Sequence, residues 1–161
     1  MMSGHRESVS ASRRAVPKRA VRAKAGAEEP LGTVVHPYCV ACSPANARGL
    51  GLQFVRTGAH TVEAGLDCPC DWEGYPGIVH GGIVALILDS AMTNCLFASG
   101  KVAMTVELTI RYHAAVLTGR RATVRAVIKE STTRLHVVEA TITQEGKSKV
   151  TATGKFLAGC L

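Results

Sequence analysis

The sequence predicts an α+β fold in which an antiparallel sheet of about five to six strands wraps around one long central helix. Residues 79–98 are apolar on nearly every side of a helix, so they need to be enclosed by other elements. The segments before and after them alternate apolar with polar residues, which is typical of strands that bury one face. The predicted order is two strands, the helix and then four strands.

Two strands are predicted before the helix, on either side of a turn near Gly58. A loop rich in proline and glycine, residues 69–77, leads from the second strand into the helix, which Gly100 ends. The apolar residues that share one face are Leu50, Leu52 and Phe54 in the first strand and Val62, Ala64 and Leu66 in the second.

Four strands are predicted after the helix, at residues 102–113, 122–130, 134–144 and 150–158. In the first of these, strict alternation places Thr105 on the polar face, opposite the apolar face that carries Leu108. Short turns at residues 117–120 and 145–146 predict that the strands they join are antiparallel neighbours.

Length and composition indicate one globular domain, residues 31–161, preceded by a disordered basic tail, residues 1–30. The tail carries seven Lys or Arg against three Glu, so it holds +4 of the formal net charge of +7. The folded part is therefore only mildly basic. With 4% aromatic residues and no basic cluster outside the tail, the sequence argues against nucleic acid as a partner.

A cytoplasmic location is expected, with an organelle as the alternative because the Arg- and Ser-rich tail resembles a transit peptide. The longest apolar stretch, residues 83–98, is too short to span a bilayer, so no membrane partner is expected.

No secretory signal is apparent, which favours reduced, free thiols. Zinc binding is the alternative for the group formed by Cys39, Cys42, Cys68 and Cys70. We predict no metal and no cofactor.

The motif His80-Gly81-Gly82 begins the predicted helix and carries the clearest chemical signal. Exposed N–H groups at a helix start can stabilise a developing oxyanion. Asp89 lies seven residues beyond Gly82, close to two turns, and so projects from nearly the same face. An anion hole and a carboxylate together indicate acyl transfer or acyl hydrolysis. The alternative is that the glycines permit tight packing and that Asp89 is a surface charge.

The stretch from Gly74 to Gly82, continuing to Asp89, resembles hotdog thioesterases of the phenylacetyl-CoA type, and the resemblance covers roughly residues 36–159. It implies the hotdog fold and hydrolysis of an acyl-CoA, or less often an acyl-carrier, thioester. The N–H of Gly81 or Gly82 would polarise the carbonyl. Asp89 would act as a general base toward water, or as a nucleophile through a mixed anhydride.

The resemblance also implies that two protomers build each site, in a homodimer or homotetramer, and that Thr105 helps to orient the water. His80 is expected to cap the helix start or orient its loop, with acid–base catalysis as the alternative. Many relatives place an Asn or Gln of the oxyanion hole where this chain has Glu73. A carboxylate donates a hydrogen bond only when protonated, so the hole would use backbone donors or Glu73 would have another role.

Glu73 and three further residues are candidate substrate contacts. Ser90 offers a hydroxyl beside Asp89, and Arg111 and Arg134 offer charges for CoA phosphates. Solvated surface charge is the alternative for both arginines.

The main alternative function is a non-catalytic hotdog protein that binds or senses acyl-CoA, with the tail as a DNA-binding arm. A hotdog dehydratase or hydratase is a second alternative, but the catalytic His motif of those enzymes is missing.

Overall fold

The computed structural model describes residues 35–159, so the predicted tail lies outside the described residues. One helix packs against a six-stranded antiparallel sheet, and a two-stranded ribbon precedes the helix. The predicted fold class is confirmed. The elements are β1 (Val55–Gly58), β2 (Thr61–Leu66), β3 (Glu73–Tyr75), β4 (Ile78–Val79), α1 (Gly81–Phe97), β5 (Met104–Tyr112), β6 (Ala122–Ser131), β7 (Leu135–Gln144) and β8 (Lys147–Leu157).

The strand order in the main sheet is β1-β2-β6-β7-β8-β5, with β1 and β5 at the edges. The turn at Glu145 and Gly146 joins the neighbours β7 and β8, as predicted. Both residues have positive φ, which suits a two-residue hairpin turn. The corresponding prediction for residues 117–120 is wrong. That turn lies between β5 and β6, yet β5 pairs with β8 while β6 pairs with β2 and β7. Turn residues mark a reversal of the chain but do not specify the partner strand.

The first predicted strand is also displaced. Residues 50–54 lie before β1, and the Leu50 and Leu52 N–H groups donate to the carbonyls of Val40 and Ala41 at 2.8 and 2.9 Å. Leu52 is buried all the same. The alternation therefore reflects burial against a preceding loop, which produces the same pattern as a strand in a sheet.

Helix α1 lies across one face of the sheet and supplies the middle of the core. Leu88, Met92 and Leu96 are fully buried there. The closest approach is at Gly154 in β8, where an added Cβ would lie 2.6 Å from the Met92 sulfur. A larger residue at this position would force Met92 or Phe156 to move, because their side chains occupy the space that a Cβ would take. Among the described residues, no helix is both long and apolar enough to cross a membrane.

Candidate active site

The start of α1 presents one backbone donor that no neighbouring group uses. His80 is the N-cap, and its imidazole Nδ1 accepts the Gly82 N–H at 2.9 Å. The N–H groups of Ile83 and Val84 donate to the His80 carbonyl at 2.9 and 3.1 Å. Within residues 35–159 the Gly81 N–H has no acceptor. The N–H that stays available at this helix start is therefore that of Gly81, while the Gly82 N–H is used by the cap.

The capping bond also determines which nitrogen of His80 carries the proton. Because Nδ1 accepts from Gly82, a neutral ring holds its proton on Nε2. The ring is held in place by the turn before it, since a Cβ added to Gly74 would lie 2.9 Å from His80 Cδ2. The predicted capping role of His80 is thus present, and its Nε2–H remains as a further donor.

A cavity of about 620 Å³ opens beside the helix start. Its wall includes His80, Gly81 and Tyr112, together with the apolar side chains of Ile78 and Val84. The Tyr112 hydroxyl donates to the Gly81 carbonyl at 2.9 Å. The sequence pattern does not associate Tyr112 with the site. A tyrosine at the end of a strand gives no signal of the carbonyl that it reaches.

Asp89 lies half-buried in a second cavity of about 260 Å³, toward the middle of α1. Its Oδ1 accepts a hydrogen bond from the Thr105 hydroxyl at 2.6 Å. In the described part of the chain, the other carboxylate oxygen has no hydrogen-bond partner. Phe97 and Met104 contribute apolar wall to this cavity. One carboxylate oxygen is thus held by a hydroxyl, while the other has no hydrogen bond within residues 35–159.

Thr105 reaches Asp89 because of a β-bulge that the sequence pattern conceals. In the pairing of β5 with β8, Thr105 lies opposite Phe156, and the next pair is Glu107 with Lys155, so Val106 is the extra residue. The bulge moves Thr105 to the face that packs on the helix, the face shared by Leu108. The prediction from strict alternation, which placed Thr105 opposite Leu108, is therefore wrong.

Within one chain, the structure does not bring Gly81 and Asp89 together. They lie eight residues apart, which is about 12 Å along a helix axis. Each lines a different cavity, and the two cavities share no lining residue. A single copy therefore presents the Gly81 N–H at one cavity and the Asp89 carboxylate at another.

Two predicted substrate contacts are occupied by interactions within the fold. The Glu73 carboxylate accepts the Gly77 N–H at 3.0 Å and the Thr118 hydroxyl at 2.9 Å, which braces the turn before the helix. Ser90 is buried, and its hydroxyl oxygen lies 3.4 Å from the Asn94 side-chain nitrogen. Neither residue lines the cavity of Gly81 or that of Asp89.

The two predicted phosphate contacts also lie away from both cavities. Arg111 lies on the outer face of the sheet, beside Thr141 and Thr151 in a depression of about 300 Å³. Arg134 lies in the turn between β6 and β7, where its carbonyl accepts the Ala158 N–H at 2.8 Å. Contact of either arginine with CoA stays a prediction.

The cysteines of the described residues are free thiols. Burial raises the pKa of Cys42 and Cys95, and it raises the pKa of Cys68 to about 11. The Cys42 sulfur lies 3.6 Å from the Asn94 side-chain nitrogen, against α1. Within residues 35–159, no three or more His, Cys, Asp or Glu side chains are grouped so as to hold a metal ion.

Comparison with known proteins gives one family match and many similar structures. A family model described as the thioesterase superfamily matches residues 76–151, from the turn before His80 into β8. A solved structure of a thioesterase superfamily protein is 24% identical, with a TM-score of 0.72 over 83% of this chain and 72% of that one.

Two further structures have the same fold. A phenylacetic acid degradation-related protein from Ralstonia eutropha JMP134 is 23% identical, with a TM-score of 0.65 over 73% of this chain and 92% of that one. A protein from Streptococcus mutans UA159, bound to acetyl CoA, is 20% identical, with a TM-score of 0.63 over 67% of this chain and 89% of that one. These matches confirm the predicted resemblance and the hotdog fold.

Proposed function

We propose that this hotdog-fold chain, which matches the thioesterase superfamily over residues 76–151, is a homo-oligomeric thioesterase that hydrolyses acyl-CoA to a free acid and CoA. The proposal rests on the environment of Asp89. A carboxylate is costly to bury in an apolar helix, yet Asp89 lies half-buried at the wall of a cavity with a single hydrogen bond within residues 35–159. Such a group is available to take a proton or to attack a carbonyl carbon.

In the proposed reaction, the Gly81 N–H donates to the thioester carbonyl oxygen and stabilises the negative charge that develops there. The free oxygen of Asp89 takes a proton from water while the water oxygen bonds to the carbonyl carbon. The tetrahedral intermediate then collapses, the carbon–sulfur bond breaks, and the proton passes to the departing CoA sulfur. In the nucleophilic alternative, Asp89 attacks the carbonyl carbon, the carbon–sulfur bond breaks, and the CoA thiolate departs. Water then hydrolyses the mixed anhydride to the free acid, which regenerates the Asp89 carboxylate and supplies the proton for the thiolate.

A second copy of the chain supplies the missing half of each site in this proposal. The separation of Gly81 from Asp89 supports this arrangement, and so does the free edge of β5. That edge strand exposes the large apolar side chains of Met104, Val106 and Tyr112. Unpaired edge strands with apolar side chains are suited to pairing with another strand. Pairing along β5 would cover them close to Thr105, which holds Asp89.

CoA as the carrier is supported by the similar Streptococcus mutans structure, which is bound to acetyl CoA. The cavity beside Gly81 has mostly apolar walls and opens to solvent, so it suits a flexible chain that leads away from a thioester. No other group is needed for the reaction, because the chain itself supplies both the base and the oxyanion donor.

Replacing Asp89 by Asn tests the proposal, because it removes the base and keeps the shape of the side chain. We expect kcat for a panel of short, medium, long and aromatic acyl-CoAs to fall about a thousandfold with the oligomeric state unchanged. CoA release is measured by chromatography. The matched control is Asp67→Asn, which removes an exposed carboxylate paired with Arg121 and should leave kcat unchanged.

Two results would contradict the proposal. If Asp89→Asn hydrolyses acyl-CoA at the parental rate, the carboxylate is not the base. If the parent binds acyl-CoA with no release of CoA across the panel, the chain is a binding or sensing protein.

A further inference from the structure

We infer that Tyr112 is a positioning residue for the proposed hydrolysis, because it fixes the Gly81–Gly82 peptide that forms the start of α1. The inference rests on the proposed function and adds a residue to its site. Tyr112 ends β5, an edge strand, and its side chain is half-exposed beside the cavity of Gly81. Its hydroxyl donates to the Gly81 carbonyl at 2.9 Å.

The Gly81–Gly82 peptide is held on both of its sides. Tyr112 holds its carbonyl oxygen, and the Nδ1 atom of His80 holds its N–H at 2.9 Å. The two hydrogen bonds act on opposite ends of one planar unit, so together they fix its rotation. The preceding peptide is fixed by its His80 carbonyl, which accepts from Ile83 and Val84. Gly81 joins these two peptides, so it is restrained on both sides and its N–H keeps one direction.

External restraint matters here because the first two residues of the helix are both glycine. Glycine has more backbone freedom than any other residue. The first N–H groups of a helix also lack partners within it. Without a tie from outside the helix, this pair would vary in conformation, and the Gly81 donor would spend less time in the geometry that an oxyanion needs.

The same strand holds the second chemical group of the helix. Thr105, near the beginning of β5, donates to Asp89, and Tyr112, at its end, donates to Gly81. Two hydroxyl groups on one edge strand thus hold the Asp89 carboxylate and the peptide that follows the Gly81 N–H. A second copy that pairs with β5 would stabilise both of these hydrogen bonds at once.

The test is Tyr112→Phe, which deletes the hydroxyl and keeps the ring. We expect kcat for acyl-CoA hydrolysis to fall about tenfold and KM to change less than about twofold, since the lost restraint acts mainly on the transition state. The thermal midpoint and the oligomeric state should not change. Tyr38→Phe is the matched control. Tyr38 is an exposed tyrosine whose hydroxyl has no hydrogen bond within residues 35–159, and we expect parental kcat there.

Hydrogen exchange at the Gly82 amide gives a readout that is independent of activity. We expect this amide to exchange faster in Tyr112→Phe than in the parent and in Tyr38→Phe, because one of the two restraints on its peptide is gone.

Each outcome decides between the proposals. Parental kcat together with parental Gly82 exchange in Tyr112→Phe would overturn the inference and leave the proposed thioesterase intact. A parent that releases no CoA would overturn the proposed function and this inference with it. A lower kcat accompanied by a lower thermal midpoint would mean that Tyr112 only stabilises the fold.

Discussion

One threonine hydroxyl controls the carboxylate on which the proposed chemistry depends. Thr105 donates to Oδ1 of Asp89 at 2.6 Å and leaves the other oxygen free. A hydrogen bond to a charged group contributes about 1.5–3 kcal/mol. Loss of this bond would let the Asp89 side chain turn within its cavity, away from the direction in which a substrate approaches.

Thr105→Val removes the hydroxyl and keeps the branched shape, so it tests this role directly. We expect kcat to fall about tenfold to a hundredfold, because the carboxylate loses its orientation but is still present. Thr105→Ser retains the hydroxyl and should keep kcat within about threefold of the parental value. Equal activity of the Val variant and the parent would mean that the bond to Asp89 does not serve the reaction.

A buried histidine gives the fold a pH dependence that is separate from catalysis. His136 in β7 is 2% exposed, and its Nδ1 lies 2.9 Å from the Ser131 hydroxyl. Burial lowers the pKa of His136 from its ordinary value of 6.5, and the Lys101 charge lowers it further. The unfolded chain therefore binds more protons than the folded chain between pH 6.5 and the lowered pKa. The contribution of His136 to stability is present above pH 6.5 and is lost as the pH falls below it.

We expect the free energy of unfolding of the parent to decrease from about pH 7.5 to about pH 5.5, and His136→Gln to show a smaller decrease over the same range. Urea unfolding at the two pH values measures both. If the free energy of unfolding decreases equally in the parent and in His136→Gln between the two pH values, His136 does not titrate differently in the folded and unfolded states.

At the scale of elements, the position of α1 on the sheet depends on a close approach to β8. An added Cβ at Gly154 would lie 2.6 Å from the Met92 sulfur and 2.7 Å from a ring carbon of Phe156. We expect Gly154→Ala to lower the free energy of unfolding by about 1–3 kcal/mol, since a packed core resists extra volume. The measurement is urea unfolding.

Gly65→Ala is the control for this prediction. Gly65 lies in β2, and no atom would come within 4 Å of its added Cβ, so no loss of stability is expected. Equal stability of Gly154→Ala and Gly65→Ala would mean that Met92 moves aside without cost and that the approach is not tight.

The elements themselves could largely be predicted from the sequence. The enclosed helix was predicted at residues 79–98 and runs over Gly81–Phe97, and the alternating segments after it form the long strands β5 to β8. The pairing of β7 with β8 was predicted from its short turn, whereas the pairings of β2 with β6 and of β5 with β8 could not be predicted, because they join distant segments of the chain. The Val106 bulge was missed as well, and with it the face on which Thr105 lies. One extra residue reverses the faces of all later positions, and alternation alone does not report it.

Parts of the candidate site were also predicted, and the rest depends on hydrogen bonds that no pattern encodes. The motif His80-Gly81-Gly82 and Asp89 were singled out from spacing. The sequence did not distinguish Gly81 from Gly82, since that choice follows from the capping bond of His80. The turn-bracing role of Glu73 and the contact of Tyr112 likewise follow only from the folded chain.

At the scale of the whole molecule, the proposed active site requires two copies of the chain. Gly81 and Asp89, the proposed oxyanion donor and base, line separate cavities and lie about 12 Å apart along the axis of one helix. Two variants separate their contributions. Asp89→Asn removes the base, and Gly81→Pro removes the N–H of the first helical residue. Proline is favoured at this position, and the His80 ψ of 132° suits a residue before proline, so the helix should be retained.

The most direct measurement is the activity of a mixture of these two inactive variants after unfolding and refolding together. If each site takes Gly81 from one chain and Asp89 from the other, every mixed dimer contains one intact site. Random pairing then predicts recovery of about a quarter of the parental kcat, because about half of the dimers are mixed and one of their two sites is intact. If the refolded mixture is as inactive as either variant alone, Gly81 and Asp89 act within one chain or not at all, and the proposed site shared between two chains is wrong.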